Sequence, residues 1–374
     1  MKCEKFVGFL FFFLSLLFTT SLQSLNTEEF FRKVSQPIPQ WMQEQIDADL
    51  NPFTTELSEE SLDQFFNSGN YGLFRIRIMN GHMTIEKGEF AQQHGAADCI
   101  IPHFFGLNHL ITLPDLDILI SAGDGIGCRA NGPALPIFTI SKCKEDKGVI
   151  LLPDWFALQG YESEKSWVLW GNQQYPWSVK RDVMFFRGGD SGILDNSSYE
   201  AWKKSPRPRL VALSIKYPQI VDAKFALSLH HKQFFGEAQR DGYIGDYVPM
   251  KDYVWNKYLI DIDGNCASAP RLGLILHSNC VVFKAVTNSM QWFYKALKPY
   301  VHFIPVREDF SDLFSQMLWA KEHEKECMQI SRNAQKLASE VLSQEAIYEY
   351  LYRLLIEYAK RQRQQYDLQT NSMM

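Results

Sequence analysis

The stretch KYLIDIDGNCASAPRLGLILHSNCVVFK, residues 257–284, decides the fold. An apolar run ends at Gly264, a polar loop follows, and a helical segment reaches residue 278 before a second apolar run begins. A strand, a helix and a second strand within about 30 residues form a βαβ-like unit of the kind found in nucleotide-binding domains. The sequence therefore predicts an α/β fold built around this stretch.

The loop of this unit carries polar groups where the predicted helix begins. Ser268 lies in the loop and Arg271 lies near the start of the helix. Backbone N–H groups at a helix N-terminus attract phosphate, and an arginine beside them can bind a diphosphate with two hydrogen bonds. An ordinary strand–helix turn with a surface arginine fits the same spacing equally well, so this stretch alone leaves both interpretations open.

Length and charge limit the class of protein. A chain of 374 residues suits two domains, and we place their junction near residue 180. The net charge of −5 implies no broad basic surface. That argues against a nucleic-acid partner, because binding along a nucleic-acid backbone needs clustered Lys and Arg.

The N-terminus has the pattern of a signal peptide. Lys2 and Lys5 precede VGFLFFFLSLLF, residues 7–18, and small and polar residues follow this uncharged run. A membrane span needs roughly 20 apolar residues, so residues 1–24 are interpreted as a signal peptide, with an uncleaved anchor as the alternative. The chain then enters the secretory route (the ER lumen, or export to the periplasm in a bacterium) and meets a membrane only if the segment stays attached.

The cysteines fit an exported chain. Cys3 belongs to the signal segment, which leaves six of the seven cysteines. An even number permits disulfides, and Cys128 and Cys143 are the expected pair because they are close in sequence and flank a loop. No two cysteines have CxxC spacing, which argues against a zinc site.

Further strands are predicted on the N-terminal side. Residues 72–86 alternate around Asn80-Gly81, which predicts a β-hairpin. The run LPDLDILISAGDG, residues 113–125, predicts a strand that ends in small residues and Asp124, and α/β sheets place their sites at such strand ends. On the pattern alone, Asp124 fits a cap of this glycine-rich turn better than a catalytic group.

Several stretches together resemble glycosyltransferase family 90, which includes the Rumi-type protein O-glucosyl- and O-xylosyltransferases, fungal capsule-associated xylosyltransferases and bacterial lipopolysaccharide transferases. Residues 257–284 resemble the family's signature. The other matching strings follow in the family's order: LPDLDILISAGDG at 113–125, PIFTISK at 136–142, LLPDWF at 151–156, YPWSVKRDVMFFRGG at 175–189, RPRLVALSIKYPQIVDAKF at 207–225 and WFYKALKPYVHFIPVREDFSDL at 292–313. They cover roughly residues 98–335, and several strings in one order are more specific than any one of them.

The resemblance implies the GT-B arrangement, in which two Rossmann-like domains face each other and the C-terminal domain holds most of a UDP-sugar. On this basis residues 25–180 form the N-terminal, acceptor-side domain and residues 181–340 form the UDP-sugar-binding domain. Residues 341–374 include a strongly periodic amphipathic pattern. We expect them to form a C-terminal helix that packs back on the N-terminal domain.

The resemblance also assigns roles to particular residues. Asp124 matches the family's catalytic Asp and would be the general base, which takes the proton of an acceptor hydroxyl as it attacks the anomeric carbon. The donor-binding residues it implies are Ser268 and Arg271 for the diphosphate, Arg207 with Arg209 as the alternate, and Ala267, Gly189 and Arg187 beside them. Arg187 lies in the family's FRG string and fits a structural role equally well.

The resemblance implies inverting transfer without a metal or other cofactor. Positive side chains would then stabilise the departing UDP, whose negative charge grows in the transition state. Two DxD triplets, Asp261-Ile-Asp263 and Asp115-Leu-Asp117, are expected by chance in a chain of this length. Alternation in a strand still puts Asp261 and Asp263 on one face, so their local placement leaves a metal site open. The histidines form no catalytic pattern, with His103 as a candidate to line a cleft.

The chain departs from the family at four places. Gly189 stands where the family usually has Ser, and Gly123 where it has Arg. One extra residue lies between Ser268 and Arg271, and residues 190–206 replace a familiar stretch with a longer one. These departures leave the donor sugar open and favour the bacterial or capsule-type branch.

The sequence therefore predicts an inverting glycosyltransferase that moves glucose, xylose or a similar sugar from a UDP-sugar to a hydroxyl of a protein Ser, a glycan or lipopolysaccharide. The alternative is a non-catalytic carbohydrate- or nucleotide-binding protein that keeps the fold. The altered loop after Gly189 favours this alternative, whereas Asp124 together with Arg271 argues against it.

Overall fold

The computed structural model describes residues 25–127, 133–226 and 229–372, without the side chains of Ser163 and residues 367–372. The chain divides into two compact units. The first contains the described chain up to Gly160, Met290–Lys295 and the chain from Leu342 onward, and the second contains Tyr161–Ser289 and Ala296–Val341. The predicted signal segment and Cys128 of the predicted disulfide lie outside the described residues.

The described helices and strands alternate along much of the chain. The helices are α1 Thr27–Val34, α2 Gln40–Leu50, α3 Glu59–Asn67, α4 Glu89–Gln93, α5 Ala96–Leu110, α6 Trp155–Leu158, α7 Glu162–Gln174, α8 Tyr199–Trp202, α9 Pro206–Lys216, α10 Phe235–Arg240, α11 Met250–Tyr253, α12 Arg271–Leu276, α13 Leu313–Glu322, α14 Glu324–Val341 and α15 Gln344–Ser372. The strands are β1 Leu73–Met79, β2 His82–Lys87, β3 Leu116–Ser121, β4 Ile137–Thr139, β5 Lys142–Cys143, β6 Val149–Leu151, β7 Arg181–Gly188, β8 Val221–Ala226, β9 Ile244–Gly245, β10 Asn256–Asp261, β11 Val281–Val286, β12 Ser289–Met290 and β13 Ile304–Arg307.

The first unit is built on a mixed sheet. Among the described strands, its order is β2-β1-β3-β4-β6, with β1 antiparallel to both neighbours and β3, β4 and β6 parallel. The predicted hairpin is confirmed: β1 pairs with β2, and the turn residues Asn80 and Gly81 have φ angles of 51° and 77°. Positive φ at both central residues is what a two-residue hairpin turn requires.

The C-terminal helix α15 packs in the first unit, against α1, α2 and β3. Its Gln362 side chain accepts from the Asp117 N–H (2.9 Å) and donates to the Asp117 carbonyl (3.0 Å). Arg353 donates to carbonyls at the end of α1, including that of Lys33 at 3.0 Å. The helix therefore satisfies polar groups of two other elements as well as burying its apolar face.

The second unit is built on a parallel sheet. In the part of the chain that the structure describes, its strands follow the order β13-β11-β10-β7-β8-β9, and every neighbouring pair is parallel. The predicted βαβ unit is β10, α12 and β11. The α/β fold class is therefore confirmed by the strands themselves.

The division between the units falls earlier than the predicted junction at residue 180. Helix α7, which carries two of the tryptophans after residue 150, packs against α11 of the second unit. A side chain at Gly171 of α7 would collide with Val254. The close approach of α7 to this part of the chain places it in the second unit.

One DxD triplet has a structural role in the first unit. Asp117 is buried and accepts two hydrogen bonds from Arg75, at 2.7 and 2.6 Å, and one from Arg77 at 3.0 Å. Asp115 accepts from the backbone N–H of Asn80 at 2.7 Å. The pairing matters most for Asp117, because a buried carboxylate needs it to remain charged.

His103 does not line a cleft. It is 2% exposed in α5, and its Nδ1 lies 2.6 Å from the hydroxyl of Tyr348 on α15. Burial lowers the pKa of His103 to about 4. The residue is a hydrogen-bonded core histidine of the first unit.

This burial predicts a pH dependence of stability. The pKa of His103 is about 4 in the folded chain and about 6.5 in the unfolded chain. Between pH 4 and pH 6.5 the folded state therefore binds fewer protons than the unfolded state. The unfolding free energy that this group contributes is fully present above pH 6.5 and is lost as the pH falls towards 4. We expect His103→Gln to reduce the loss of unfolding free energy between pH 7.5 and pH 5 by about 2 kcal/mol. Urea denaturation at both pH values measures this, with the exposed His82→Gln as control; an unchanged pH dependence in the His103 variant would contradict it.

Among the described residues, no helix is both long enough and apolar enough to cross a bilayer.

Candidate functional site

The candidate site lies where two central strands of the second unit end. Strands β7 and β10 are parallel neighbours, with Phe185 opposite Leu259. Their carboxyl ends, Gly188 and Asp261, therefore lie at the same edge of the sheet. Loops leave this edge from both strands, and α/β sheets commonly bind ligands at such an edge.

The two loops interlock through glycines. A side chain at Gly192 would collide with the Gly264 carbonyl, and Gly192 has a φ of 76°, which L side chains rarely adopt. The N–H of Gly192 donates to the side chain of Asn265 at 3.0 Å. The stretch 190–206, which differs from the family pattern, thus packs directly on the loop that follows β10.

Arg207 joins these loops. Its Nε donates to the Asp263 carbonyl at 3.0 Å and its Nη2 to the Ile262 carbonyl at 3.1 Å. Its Nη1 donates to the Gly189 carbonyl at 2.9 Å and to the Ser191 hydroxyl at 2.6 Å. Four of the five N–H groups of its guanidinium are therefore engaged by protein atoms.

Arg271 lies beside Arg207 and has a different set of contacts. Its Nη2 donates to the Arg187 carbonyl at 3.1 Å, whereas its buried Nη1 has no hydrogen-bond partner among the residues that the structure describes. Its guanidinium lies 4.5 Å from the centre of the Phe186 ring, and that of Arg207 lies 5.8 Å from the same ring. The close approach of Arg271 to the chain requires Gly188, where any Cβ would collide with Nη2.

The two arginines repel one another. Burial, followed by the charge of Arg271, lowers the pKa of Arg207 to about 9, so Arg207 remains a cation at neutral pH. A bound anion would relieve this repulsion and supply the missing acceptor for Arg271 Nη1. Arginine suits this role because its planar guanidinium matches phosphate geometry.

Ser268 and the two aspartates after β10 form a second cluster. The Ser268 hydroxyl donates to the Asp261 carboxylate, and Lys284 lies 3.5 Å from the other oxygen of that carboxylate. Asp263 accepts from Thr287, and burial raises the pKa of Asp263. Because the Ser268 proton is already donated to Asp261, the hydroxyl cannot also donate to a diphosphate in this arrangement.

The other predicted donor residues have structural partners. Arg187 Nη2 forms an ion pair with Asp222 at 2.7 Å, and its Nη1 donates to two backbone carbonyls. The buried Ala267 accepts from the Ala269 N–H at 2.8 Å, and the Gly189 carbonyl accepts from Arg207. Among the described residues, Arg271 Nη1 and Arg187 Nε are the buried atoms of predicted ligands without a hydrogen-bond partner, and Arg271 is the one whose charge acts on Arg207.

Helix α12 is shorter than the sequence predicts. It has six residues and ends at Leu276, where the N–H groups of His277 and Ser278 donate to the carbonyls three residues back, Leu274 at 3.1 Å and Ile275 at 3.0 Å. A helix this short adds little dipole at its N-terminus. The charge of Arg271, rather than the helix, dominates this part of the site.

The sequence interpretation missed Asp190, His230 and His231. The buried Asp190 carboxylate accepts from both histidine backbone N–H groups (2.5 and 3.3 Å), from His231 Nδ1 (2.9 Å) and from Trp202 Nε1 (3.0 Å). Burial opposes ionisation, but these hydrogen bonds outweigh it and hold the pKa of Asp190 below its usual value. Forty residues separate Asp190 from His230, so no local spacing could reveal the cluster.

Asp124 lies in the first unit, three residues beyond the end of β3, and its side chain is exposed. The turn before it is held by Ser121, whose hydroxyl donates to the Tyr71 carbonyl and accepts from the Gly123 N–H at 3.2 Å. The structure therefore places Asp124 at a strand end, where the sequence predicts it.

Metal ligands do not cluster in the described chain. Across residues 25–127, 133–226 and 229–372, no three His, Cys, Asp or Glu side chains are placed to hold an ion. The carboxylates of Asp261 and Asp263 instead contact Ser268, Lys284 and Thr287. Transfer without a metal stays a prediction.

Comparison with known proteins identifies the class. The family described as glycosyl transferase family 90 matches residues 35–373, and the chain belongs to that family. Human protein O-glucosyltransferase 3 is 28% identical over 79% of this chain and 57% of its own length, and human protein O-glucosyltransferase 1 is 25% identical over 84% of this chain and 79% of its own. The chain spans between about half and two thirds of the length of the first such relatives.

A solved structure of Anabaena Alr3699/HepE in complex with UDP and glucose aligns at 13% identity with a TM-score of 0.38, over 61% of this chain and 64% of that one. A similarity this low supports no conclusion about the ligand of this chain.

Proposed function

We propose that this chain transfers glucose, xylose or a similar sugar from a UDP-sugar to a hydroxyl of a protein, with inversion and without a metal. One observation carries the donor half of this proposal. Arg271 presents a buried Nη1, without a partner in the described part of the chain, beside a second buried cation at the carboxyl edge of a parallel sheet. A nucleotide diphosphate has the charge and the acceptor geometry that such a pair lacks.

Family membership and the relatives support the chemistry. The matched relatives are named as protein O-glucosyltransferases, which favours a protein hydroxyl over a glycan or lipopolysaccharide as the acceptor. Asp124 would act as the general base on that hydroxyl. Arg271 would stabilise the charge that develops on the departing UDP.

The compartment is part of the proposal. The pattern of Lys2, Lys5 and residues 7–18 favours a signal peptide that directs the chain into the secretory route, with the ER lumen as the compartment. A membrane partner would follow only if that segment is retained.

A transfer assay tests the function. The purified chain is incubated with UDP-glucose, UDP-xylose or UDP-N-acetylglucosamine and with folded protein domains or oligosaccharides as acceptors. Mass spectrometry then measures the mass added to each acceptor. We expect one hexose or pentose on a protein acceptor, inverted anomeric configuration, and equal activity with and without EDTA.

Each other outcome has a defined meaning. Loss of activity in EDTA with recovery on adding Mn²⁺ would contradict transfer without a metal. UDP binding with no transfer to any acceptor would favour the non-catalytic nucleotide-binding protein. One feature agrees with that alternative: the guanidinium of Arg207 and the hydroxyl of Ser268 are already engaged by protein atoms.

A further inference from the structure

Basic side chains from three separate segments approach the glycine pair Gly188-Gly189. Arg271 lies against Gly188, and Arg207 donates to the Gly189 carbonyl. The third is His230, whose Nε2 lies 2.9 Å from the position that a Cβ of residue 189 would occupy. His230 thus covers the open side of Gly189, next to the two arginines.

Hydrogen bonds to the side chain of Asp190 fix the position of the His230 backbone. Asp190, the residue after Gly189, is fully buried and accepts from the His230 N–H at 2.5 Å. The same carboxylate accepts from the N–H and Nδ1 of His231 and from the indole of Trp202. A buried carboxylate with this many donors resists displacement, because each lost bond would leave a charged group unsatisfied. The backbone of residues 230 and 231 is therefore locked to the chain at residue 190.

The His230 side chain itself is exposed. Packing in a core therefore does not explain the histidine at this position, beside Gly189. A histidine ring supplies an N–H donor in its neutral form and two in its charged form. Both forms suit a phosphate oxygen, and glycine at residue 189 lets the imidazole approach the chain beside the two arginines.

We propose that His230 donates a hydrogen bond to the diphosphate of the nucleotide-sugar and that Asp190 is the residue that positions it. This inference rests on the proposed function, since that function supplies the diphosphate. It adds a donor from the loop after β8 to the site formed by the loops after β7 and β10. The bond would be made to the donor substrate and to the departing UDP alike.

Calorimetry with UDP tests the role of His230 in the full chain. We expect His230→Ala to weaken UDP binding about tenfold, the usual loss for a hydrogen bond to a charged group. His230→Gln keeps an N–H donor and should recover most of that affinity. Because the side chain is exposed, both variants should melt at the wild-type temperature. A purely structural role would make the two variants behave alike, and His230→Gln as weak as His230→Ala would overturn the proposal.

A second pair of variants tests the placement over Gly189. Gly189→Ala puts a Cβ against the imidazole and should weaken UDP binding as His230→Ala does. In the Gly189→Ala/His230→Ala double variant the loss should not add, because both changes remove one contact. Gly236→Ala is the matched control, since a Cβ there has nothing within 4 Å. Additive losses would overturn the placement of His230.

The failures of the two proposals are distinguishable. Wild-type chain that binds no UDP contradicts the proposed function. Wild-type chain that binds UDP, with His230→Ala binding it equally well, contradicts the role of His230 and leaves the function intact. Asp190→Asn should reproduce the His230→Ala affinity; should that variant fail to fold, the His230 variants still decide the question.

Discussion

Replacement of Asp124 by asparagine should lower kcat/KM for sugar transfer about 10²–10⁴-fold, the contribution typical of a general base. The amide keeps the size of the side chain but cannot accept the proton of the attacking hydroxyl. Because the side chain is exposed at the strand end, we expect the variant to fold like wild type. Steady-state transfer kinetics and UDP calorimetry measured on the same sample show whether chemistry alone is lost.

Two comparisons make this result specific. Asp115→Asn changes another exposed aspartate of the first unit, whose carboxylate accepts from the Asn80 N–H, and it should leave transfer unchanged. UDP affinity of the Asp124 variant should also be unchanged, since binding of the nucleotide is assigned to the second unit. Asp124→Asn with wild-type kcat/KM would contradict the assignment of the base.

The sequence predicts those parts of the fold that depend on local patterns. Asn80-Gly81 identifies the hairpin because its turn needs positive φ at two successive residues. Residues 257–284 also form a local pattern. Two apolar runs, separated by a polar loop and a helical segment, identify a strand, a helix and a second strand. The helix end at Leu276 is missed because the N–H groups of His277 and Ser278 bond three residues back instead of four, a change that no periodicity records.

The site is predictable only in part, because its roles depend on partners distant in sequence. The sequence predicts Arg207 as a ligand of the diphosphate. In the structure its guanidinium donates hydrogen bonds to the backbone carbonyls of residues 189, 262 and 263. The sequence shows that an arginine stands there but does not show which acceptors the loops present. Asp190 and His230 escape notice for the same reason. The placement of α7 in the second unit likewise involves residues distant in sequence, such as Gly171 and Val254.

Arg271→Gln should lower kcat/KM about 10²–10³-fold, the loss seen when a donor to developing negative charge is removed. UDP affinity should fall as well, because the buried Arg271 Nη1 is a donor without a partner among the described residues. Stability should change little: the variant loses one hydrogen bond, to the Arg187 carbonyl, and is relieved of repulsion with Arg207. Arg271→Lys should recover part of the affinity through its charge, but not the planar, two-pronged geometry.

Arg207→Gln is the matched contrast, because it removes the neighbouring guanidinium. Four hydrogen bonds to the loops after β7 and β10 would be lost, and the unfolding free energy should fall by on the order of 3 kcal/mol. Urea denaturation and UDP calorimetry of both variants therefore separate two roles. If Arg207 positions the loops and Arg271 binds the diphosphate, stability falls in the first variant and affinity falls at near-native stability in the second. The reverse result would be a stable Arg207→Gln variant that does not bind UDP and an Arg271→Gln variant that binds UDP normally. It would exchange the two assignments and place the anion beside the remaining N–H of Arg207.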